Sequence, residues 1–407
     1  MNKGIKWIIL MLLFVATGLS FLDRQVLSMT IIKIQQEFKL SDVQYGLVNT
    51  SFLISYALMF TVGGRLMDSV GSKLGMGLAV TVWSAANMLH GVLANFYHLL
   101  AFRFLLGLGE GGCFPGAAKT VYIWFDQQKR ALANGIAIGG AAIGAVIAPP
   151  LTTLLSTHFG WRASFVIPGF VGLVWAVTWF MIDWGKNSHA NRNDQNTQTP
   201  VIPFIRILKT KEALIFILIR FLLDPVVYFL MFWGPKYLSG QRQISFERIG
   251  NLFWIPFLAL GLSNIIGGWF SDRLVRRKVS INKSRKTVMG IAAALTLAAP
   301  FIATVTTVEM AVALMALVMF AHGFWITNYI TSIADIFGAN GTSTVVGLSG
   351  TAGAISGLLI NPLIGWVIQH YSYTPIWYIS GILYPLAFVL LVSFIPVIRP
   401  LTFSVRS

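Results

Sequence analysis

Twelve stretches of about 20 mostly apolar residues follow one another along this chain, parted by short polar breaks. A helix of that length crosses the hydrocarbon of a bilayer. Inside a bilayer no water satisfies stray backbone groups, so a chain built this way folds as helices that satisfy their own. The breaks place spans near 5–29, 43–64, 74–93, 97–118, 131–156 and 161–183, then near 212–238, 246–270, 287–305, 309–331, 344–369 and 373–397. These spans use nearly all of the 407 residues and leave no room for a soluble catalytic domain. Composition agrees: 11% of the residues are charged, against roughly 25% in an ordinary soluble domain.

The first apolar run, 5–29, is too long for a signal-peptide core and lacks a small-residue cleavage site, so it reads as the first span. The polar interval 184–210 is a linker by composition. It divides an N-terminal six-helix half, 1–183, from a C-terminal one, 211–407. The net charge of +16 raises nucleic acid as a partner, but its distribution argues for a membrane instead. With loops assigned alternately, 20 of the 30 Lys and Arg fall on the side of the N-terminus and six on the other. Four more, Arg24, Arg103, Lys119 and Arg220, lie within spans. That asymmetry places both termini in the cytoplasm. Cys113 is the sole cysteine, which excludes an internal disulfide and a thiolate metal cluster. No metal or cofactor is expected, and nothing marks an enzyme.

A short sequence recurs after the second span of each half. It reads GGRLMDSVGSK from Gly63 to Lys73 and GGWFSDRLVRRK from Gly267 to Lys278, an offset of 204 residues. Such internal symmetry belongs to two-bundle transporters. The first copy fits the pattern G-x-L-x-D-x-x-G-x-R/K, the inter-span signature of the major facilitator superfamily, through Gly64, Leu66, Asp68, Gly71 and Lys73. The second keeps Gly268, Asp272 and Arg277 but carries Val275 where glycine is usual. A carboxylate beside a helix N-terminus accepts backbone N–H bonds and meets favourable dipole charge. Asp68 and Asp272 are therefore candidate conformational latches. The fold expected is all-α: twelve transmembrane helices in two pseudo-symmetric six-helix bundles.

Ionisable groups deep in a span cost several kcal/mol unless paired or hydrated, so each is a functional candidate. Asp23 and Arg24 interrupt the first span. Arg103 and Glu110 stand seven residues apart in the fourth, on one helix face and about 10 Å apart. A face with one cation and one carboxylate suits an anion and a proton. Burial disfavours an ionised carboxylate and a neighbouring guanidinium favours it, so a carboxylate whose arginine can change partners is a switchable proton site.

FLDR in the first span, RFLLGLGEG in the fourth and the Trp124, Phe125, Arg130 pattern after it resemble the anion:cation symporter family within the major facilitators. The C-terminal half, with RFLLDPVVYFLMFWGPKYL from Arg220 and ADIFG from Ala334, looks like its sugar-acid branch, nearest to hexuronate transporters. The resemblance covers essentially the whole chain. It implies that Arg24 grips the substrate carboxylate, that Asp23 takes up a proton and pairs with Arg103, and that Glu110 is the second proton site. It places Tyr56 in the pocket wall, Asn328, Tyr329 and Thr331 at the sugar hydroxyls, and Thr351 beside them. The family commonly has Asn-Tyr before Leu-Asp-Arg, whereas this chain has Ser20 and Phe21, which takes an amide and a phenol from the pocket rim.

The expectation is a monomeric, multi-pass protein of a bacterial inner membrane that imports a hexuronate or hexonate with protons by rocking one bundle against the other. The alternatives are a carrier of a non-sugar organic anion and a drug/proton antiporter of the same fold. Antiporters usually carry G-P-x-x-G-G in the fifth span, where this chain has GAVIAPPL. Other groups have plainer readings. Arg220 and Asp224, four apart, can neutralise each other as a structural pair or form a second coupling site. His90, His98 and His158 fall near span ends, His322 lies within the tenth span, and Trp325 is the tryptophan best placed to meet a sugar. Lys119 is expected to snorkel. The basic loop 273–286 is a topology determinant able to touch anionic lipid.

Overall fold

A computed structural model describes residues 4–125, 127–184 and 204–401, so most of the linker lies outside the described residues. All regular structure among them is helical: α1 (Ile5–Phe38), α2 (Asp42–Val70), α3 (Ser72–Leu89), α4 (Phe96–Glu110), α5 (Cys113–Trp124), α6 (Gln127–His158), α7 (Ala163–Met181), α8 (Phe204–Leu208), α9 (Lys211–Gly240), α10 (Phe246–Leu252), α11 (Trp254–Arg276), α12 (Ile281–Thr296), α13 (Phe301–Thr304), α14 (Val308–His370) and α15 (Thr374–Phe394), with one 3-10 turn at His90–Val92. Nine helical segments among the described residues are long and apolar enough to cross a membrane. Helices α2, α3 and the pair α4–α5 cover the other three expected spans.

Local chemistry sets the ends. Ser41 Oγ accepts from Gln44 N (3.1 Å) while Gln44 Oε1 accepts from Ser41 N (2.8 Å), a reciprocal cap that starts α2. Helix α2 stops at Gly71, whose φ of 84° favours glycine. The second half lacks that residue, having Val275 at the matching position. There the helix runs on to Arg276, and the left-handed residue is Lys278, at φ 63°. Helix α14 contains the tenth and eleventh expected spans, parted at Gly338 by φ 60° and ψ −166°, a conformation close to glycine's own. The fourth expected span is not continuous: it breaks at Gly111 and Gly112, directly after Glu110.

The chain divides into two compact units, one of Met1–Asn196, Met231–Trp254 and Leu358–His370, the other of Thr197–Leu230, Ile255–Gly357 and Tyr371–Ser407. In the first, α1 lies along α6, α2 along α4, and α3 along α7 and α4. The glycine-rich stretch of α6 makes the first contact close: a Cβ on Gly140 would stand 1.9 Å from Phe14 O, and one on Gly144 2.0 Å from Gly18 O. Small residues allow this backbone approach, as the pattern GGAAIGAVIAPP predicts. The segments of the second half that belong to this unit are fastened by polar contacts. Lys236 pairs with Asp42 and donates to Gln35 Oε1 (2.6 Å), Tyr45 Oη donates to Phe232 O (2.5 Å), and Trp233 Nε1 donates to Asn361 Oδ1 (3.0 Å). Large apolar side chains such as Leu58, Val62, Phe170, Val177, Met181 and Ile265 point outward, while Thr17, Ser84, Asn87 and Ser164 are buried. That is the arrangement of a protein whose solvent is lipid.

Candidate functional site

The charged residues that interrupt the apolar runs of the first half converge inside the first unit. Asp23, Arg24, Arg103 and Glu110 are all buried. Arg24 Nε donates to Glu110 Oε2 at 2.5 Å. Ser20 Oγ donates to the same oxygen at 3.1 Å, and Arg24 Nη2 reaches Ser20 Oγ at 3.5 Å. The Arg24 guanidinium is also packed among rings, its carbon 4.4 Å from the centroid of Tyr56, 4.8 Å from Phe21 and 5.4 Å from Phe52. The Arg103 guanidinium lies 4.7 Å from that same Phe52 centroid. Two cations thus meet one aromatic ring, and a cation over a ring is worth about 2 kcal/mol or more when desolvated.

Helix α4 reaches this position because its glycines let it lie against α2. A Cβ on Gly107 would stand 2.2 Å from Ser55 Oγ and 2.4 Å from Phe52 O. Glu110 closes α4, and the break at Gly111–Gly112 follows at once. The run RFLLGLGEGG therefore sets both the spacing of Arg103 and Glu110 and the fit that holds them.

Asp23 does not pair with Arg103. Its Oδ1 accepts from Asn87 Nδ2 at 2.8 Å, and the same amide donates to Phe165 O at 3.1 Å. Successive residues of a helix point about 100° apart, so when Arg24 faces α4 its neighbour faces α3. None of the three guanidinium nitrogens of Arg103 has a hydrogen-bonding partner among the described residues, and neither has Glu110 Oε1. Asn87 is the participant that the sequence reading missed. An amide in the last turn of α3, within an apolar run, was the available signal, since a buried amide requires partners. Ser20 and Phe21, read as losses from the pocket rim, contribute a hydroxyl to Glu110 and a ring to Arg24.

The expected sugar-contacting residues lie in the second unit, and their polar groups meet protein backbone. Asn328 Nδ2 donates to Gly267 O (3.2 Å) and Phe324 O (3.1 Å), while Tyr329 Oη donates to Phe216 O (2.6 Å). Thr331 and Thr351 bond back to Thr327 O and Gly347 O of their own helix. Asn328 and Tyr329 are buried, and Thr331 and Thr351 are half-buried. Arg220 Nε donates to Asp224 Oδ1 at 2.6 Å, and a Cβ on Gly353 would collide with that carboxylate, so glycine makes its room. His322 Nδ1 stands 2.6 Å from Tyr384 Oη. Trp325 is buried edge-on against Tyr384 and packs as core. His90, expected at a hydrated span end, is wholly buried with its ring stacked on Phe165.

Of the two motif aspartates, the side chain of Asp68 lies outside the described residues. Asp272 differs from the expected helix-terminus latch: it accepts from Arg285 Nη1 at 3.2 Å, and Arg285 Nε donates to Asp335 Oδ2 at 3.1 Å. Asp272 stands near the C-terminal end of α11, where no free backbone N–H is available, so a guanidinium takes that part. Lys119 is half-buried and donates to Met67 O, in the last turn of α2, at 3.0 Å.

The model of the family described as Major Facilitator Superfamily matches residues 13–360. The hexuronate transporter of Bacillus subtilis (strain 168) is 29% identical, over 89% of this chain and 88% of its own. The D-galactonate transporter of Escherichia coli O6:H1 is 26% identical, over 95% and 96%. A chloroplastic ascorbate transporter of Arabidopsis thaliana is 27% identical, over 93% and 73%. A bacterial homolog of the human lysosomal transporter Spinster, solved inward-facing and unoccupied, superposes with a TM-score of 0.74 at 20% identity, over 98% of this chain and 96% of the other.

Proposed function

This chain belongs to the major facilitator superfamily and is a membrane-spanning transporter rather than an enzyme, and from that premise we propose that it carries a sugar acid, a hexuronate or hexonate, in symport with protons. The observation that carries the reading is the pair of buried guanidiniums at one ring, Arg24 and Arg103, with the Glu110 carboxylate bonded to Arg24 and Ser20 and Arg103 left without a hydrogen-bonding partner among the described residues. A planar guanidinium binds a carboxylate through two parallel hydrogen bonds, a geometry that lysine cannot reproduce. Two buried cations repel a cationic drug and attract an organic anion. Relatives named as hexuronate and galactonate transporters support a sugar acid over a plain carboxylate.

Coupling follows from the partner of Arg24. A substrate carboxylate that takes Arg24 must displace Glu110, and a buried carboxylate without its cation is costly until a proton removes its charge. Arg24 grips the anion, Glu110 takes the proton, and Asp23, held by Asn87, is the second proton site. Tyr56 lines the same pocket. Asn328, Tyr329, Thr331 and Thr351 serve the sugar hydroxyls after the rearrangement that frees them from backbone. Asp68 and Asp272 latch the ends of the neighbouring helices. The carrier works as a monomer in a bacterial inner membrane with both termini in the cytoplasm, and alternates access by rocking its two bundles.

Uptake into proteoliposomes tests this directly, with glucuronate, galacturonate, gluconate and galactonate supplied with and without an inward proton gradient. Gradient-driven accumulation of one of them, lost in Arg24→Ala and no longer driven by the gradient in Glu110→Gln, is the expected outcome. Gradient-independent uptake sinks proton coupling. Failure of all four sugar acids in a preparation that exchanges another anion sinks the substrate class.

A further inference from the structure

In the second unit, α11, the turn after it, α12 and α15 enclose a groove of about 490 Å³ lined by Leu274, Val279, Gly290 and Phe388 together with Lys283 and Lys286. The two lysines stand on the first two turns of α12, which opens the spanning segment Ile281–Thr304. Their depth is therefore the boundary where hydrocarbon gives way to headgroups. Lys283 is exposed and Lys286 half-buried. Lys286 Nζ donates to Ile395 O and Pro396 O, both at 2.7 Å, which fixes it at the end of α15 and uses two of its three N–H groups. No carboxylate pairs with either lysine among the described residues. The nearby acids Asp272 and Asp335 are held by Arg285. The surrounding stretch 273–286 holds seven Lys and Arg and no acid.

Below this cationic mouth the wall turns apolar. A Cβ on Gly290 would meet the Phe388 ring at 3.0 Å, so the missing side chain lets that ring lie against α12. A cationic rim over an apolar wall, at headgroup depth, matches an amphiphile with a phosphate at one end and an acyl chain at the other. A free phosphate ion would use the rim and gain nothing from the wall. Basic pockets between spanning helices hold anionic headgroups on the same grounds.

We propose that this groove binds an anionic phospholipid, its phosphate between Lys283 and Lys286 and an acyl chain along Gly290 and Phe388. The site is confined to the second unit and does not depend on the transported substrate.

The full-length protein, purified in mild detergent, is titrated with phosphatidylglycerol, phosphatidylcholine or inorganic phosphate, and binding is read by native mass spectrometry and by the thermal midpoint. Phosphatidylglycerol is expected to bind and raise the midpoint, while the other two do neither. The double variant Lys283→Gln with Lys286→Gln should bind it roughly thirtyfold more weakly. Arg276→Gln with Arg277→Gln, equal in charge lost from the same loop but outside the groove, should keep the affinity. Thr287→Trp fills the groove with both ammoniums in place and should also abolish binding, which carries the test if the double variant does not fold. Equal binding of phosphatidylcholine, an equal effect of inorganic phosphate, unchanged affinity in both groove variants, or equal loss in the Arg276/Arg277 control each overturns the proposal.

Discussion

Adjacent residues on α1 take different partners: Arg24 is bonded to Glu110 of α4, and Asp23 to Asn87 of α3. The amide of Asn87 is the single hydrogen-bond donor found to Asp23 among the described residues, at a position screened from solvent. Asn87→Leu leaves that carboxylate unsatisfied, at a cost of about 1–3 kcal/mol. Thermal unfolding in detergent should show a lowered midpoint, and adding Asp23→Asn on the same background should recover part of it. An unchanged midpoint in Asn87→Leu would show that the bond contributes nothing. That Asp23, Arg24, Arg103 and Glu110 stand inside spans was legible in the sequence, and all four are buried; a charge inside an apolar run is a functional candidate for that reason. Which of them pair was not. A rotation of 100° between neighbours on α1 decides it, together with an asparagine 64 positions away.

At the level of elements, the glycines divide by what they face. Gly107 on α4 meets Ser55 and Phe52 of α2 at distances that no Cβ tolerates, whereas Gly135 on α6 has nothing within 4 Å. Gly107→Val must push α4 from α2 and separate Arg103 from Phe52, with overpacking that costs about 1–3 kcal/mol or more. Gly135→Ala should be neutral or stabilise by about 0.5–1 kcal/mol, since it only removes freedom from the unfolded chain. The fraction of monodisperse protein surviving a heat step separates the two; equal survival would mean that the α2–α4 fit is not what holds the site. The sequence located the helices well, since each expected span coincides with one helix or with two consecutive ones. It did not show that the fourth span breaks after Glu110, because a Gly-Gly pair reads alike as close packing or as a break.

On the scale of the whole molecule, contacts within the first unit tie α9 and the end of α14 to α1 and α2. Asp42, Gln35 and Lys236 form the polar centre of that junction, with Tyr45 and Trp233 bonded beneath it. The side chains of Asp42 and Lys236 are 18% and 17% exposed, so the pair falls at the upper end of the modest contribution of partly exposed ion pairs, about 1 kcal/mol. Losing it should favour the parted state of this junction by roughly fivefold. Ser239→Cys beside Lys236 reports this, because Cys113, the sole native thiol, is buried. Thiol labelling of Ser239→Cys should quicken on adding Asp42→Asn, and should return toward the original rate when Lys236→Gln removes the stranded ammonium. Identical rates throughout would mean that the junction is held by Tyr45 and Trp233 alone.

The sequence by itself determined that this chain is an all-helical membrane protein, where its spans run, that its halves repeat, and that Asp23, Arg24, Arg103 and Glu110 are among the charges that sit where lipid should be. Each follows from the cost of placing a charge or a bare peptide group in hydrocarbon, which one dimension of sequence records faithfully. Only the tertiary structure decided that Arg24 holds Glu110 while Asp23 turns to Asn87, that Asn328 and Tyr329 are bonded to backbone, and that Asp272 answers to Arg285. Those outcomes depend on the rotation of each helix about its axis and on how close glycines let two backbones come, quantities that arise only when distant segments pack.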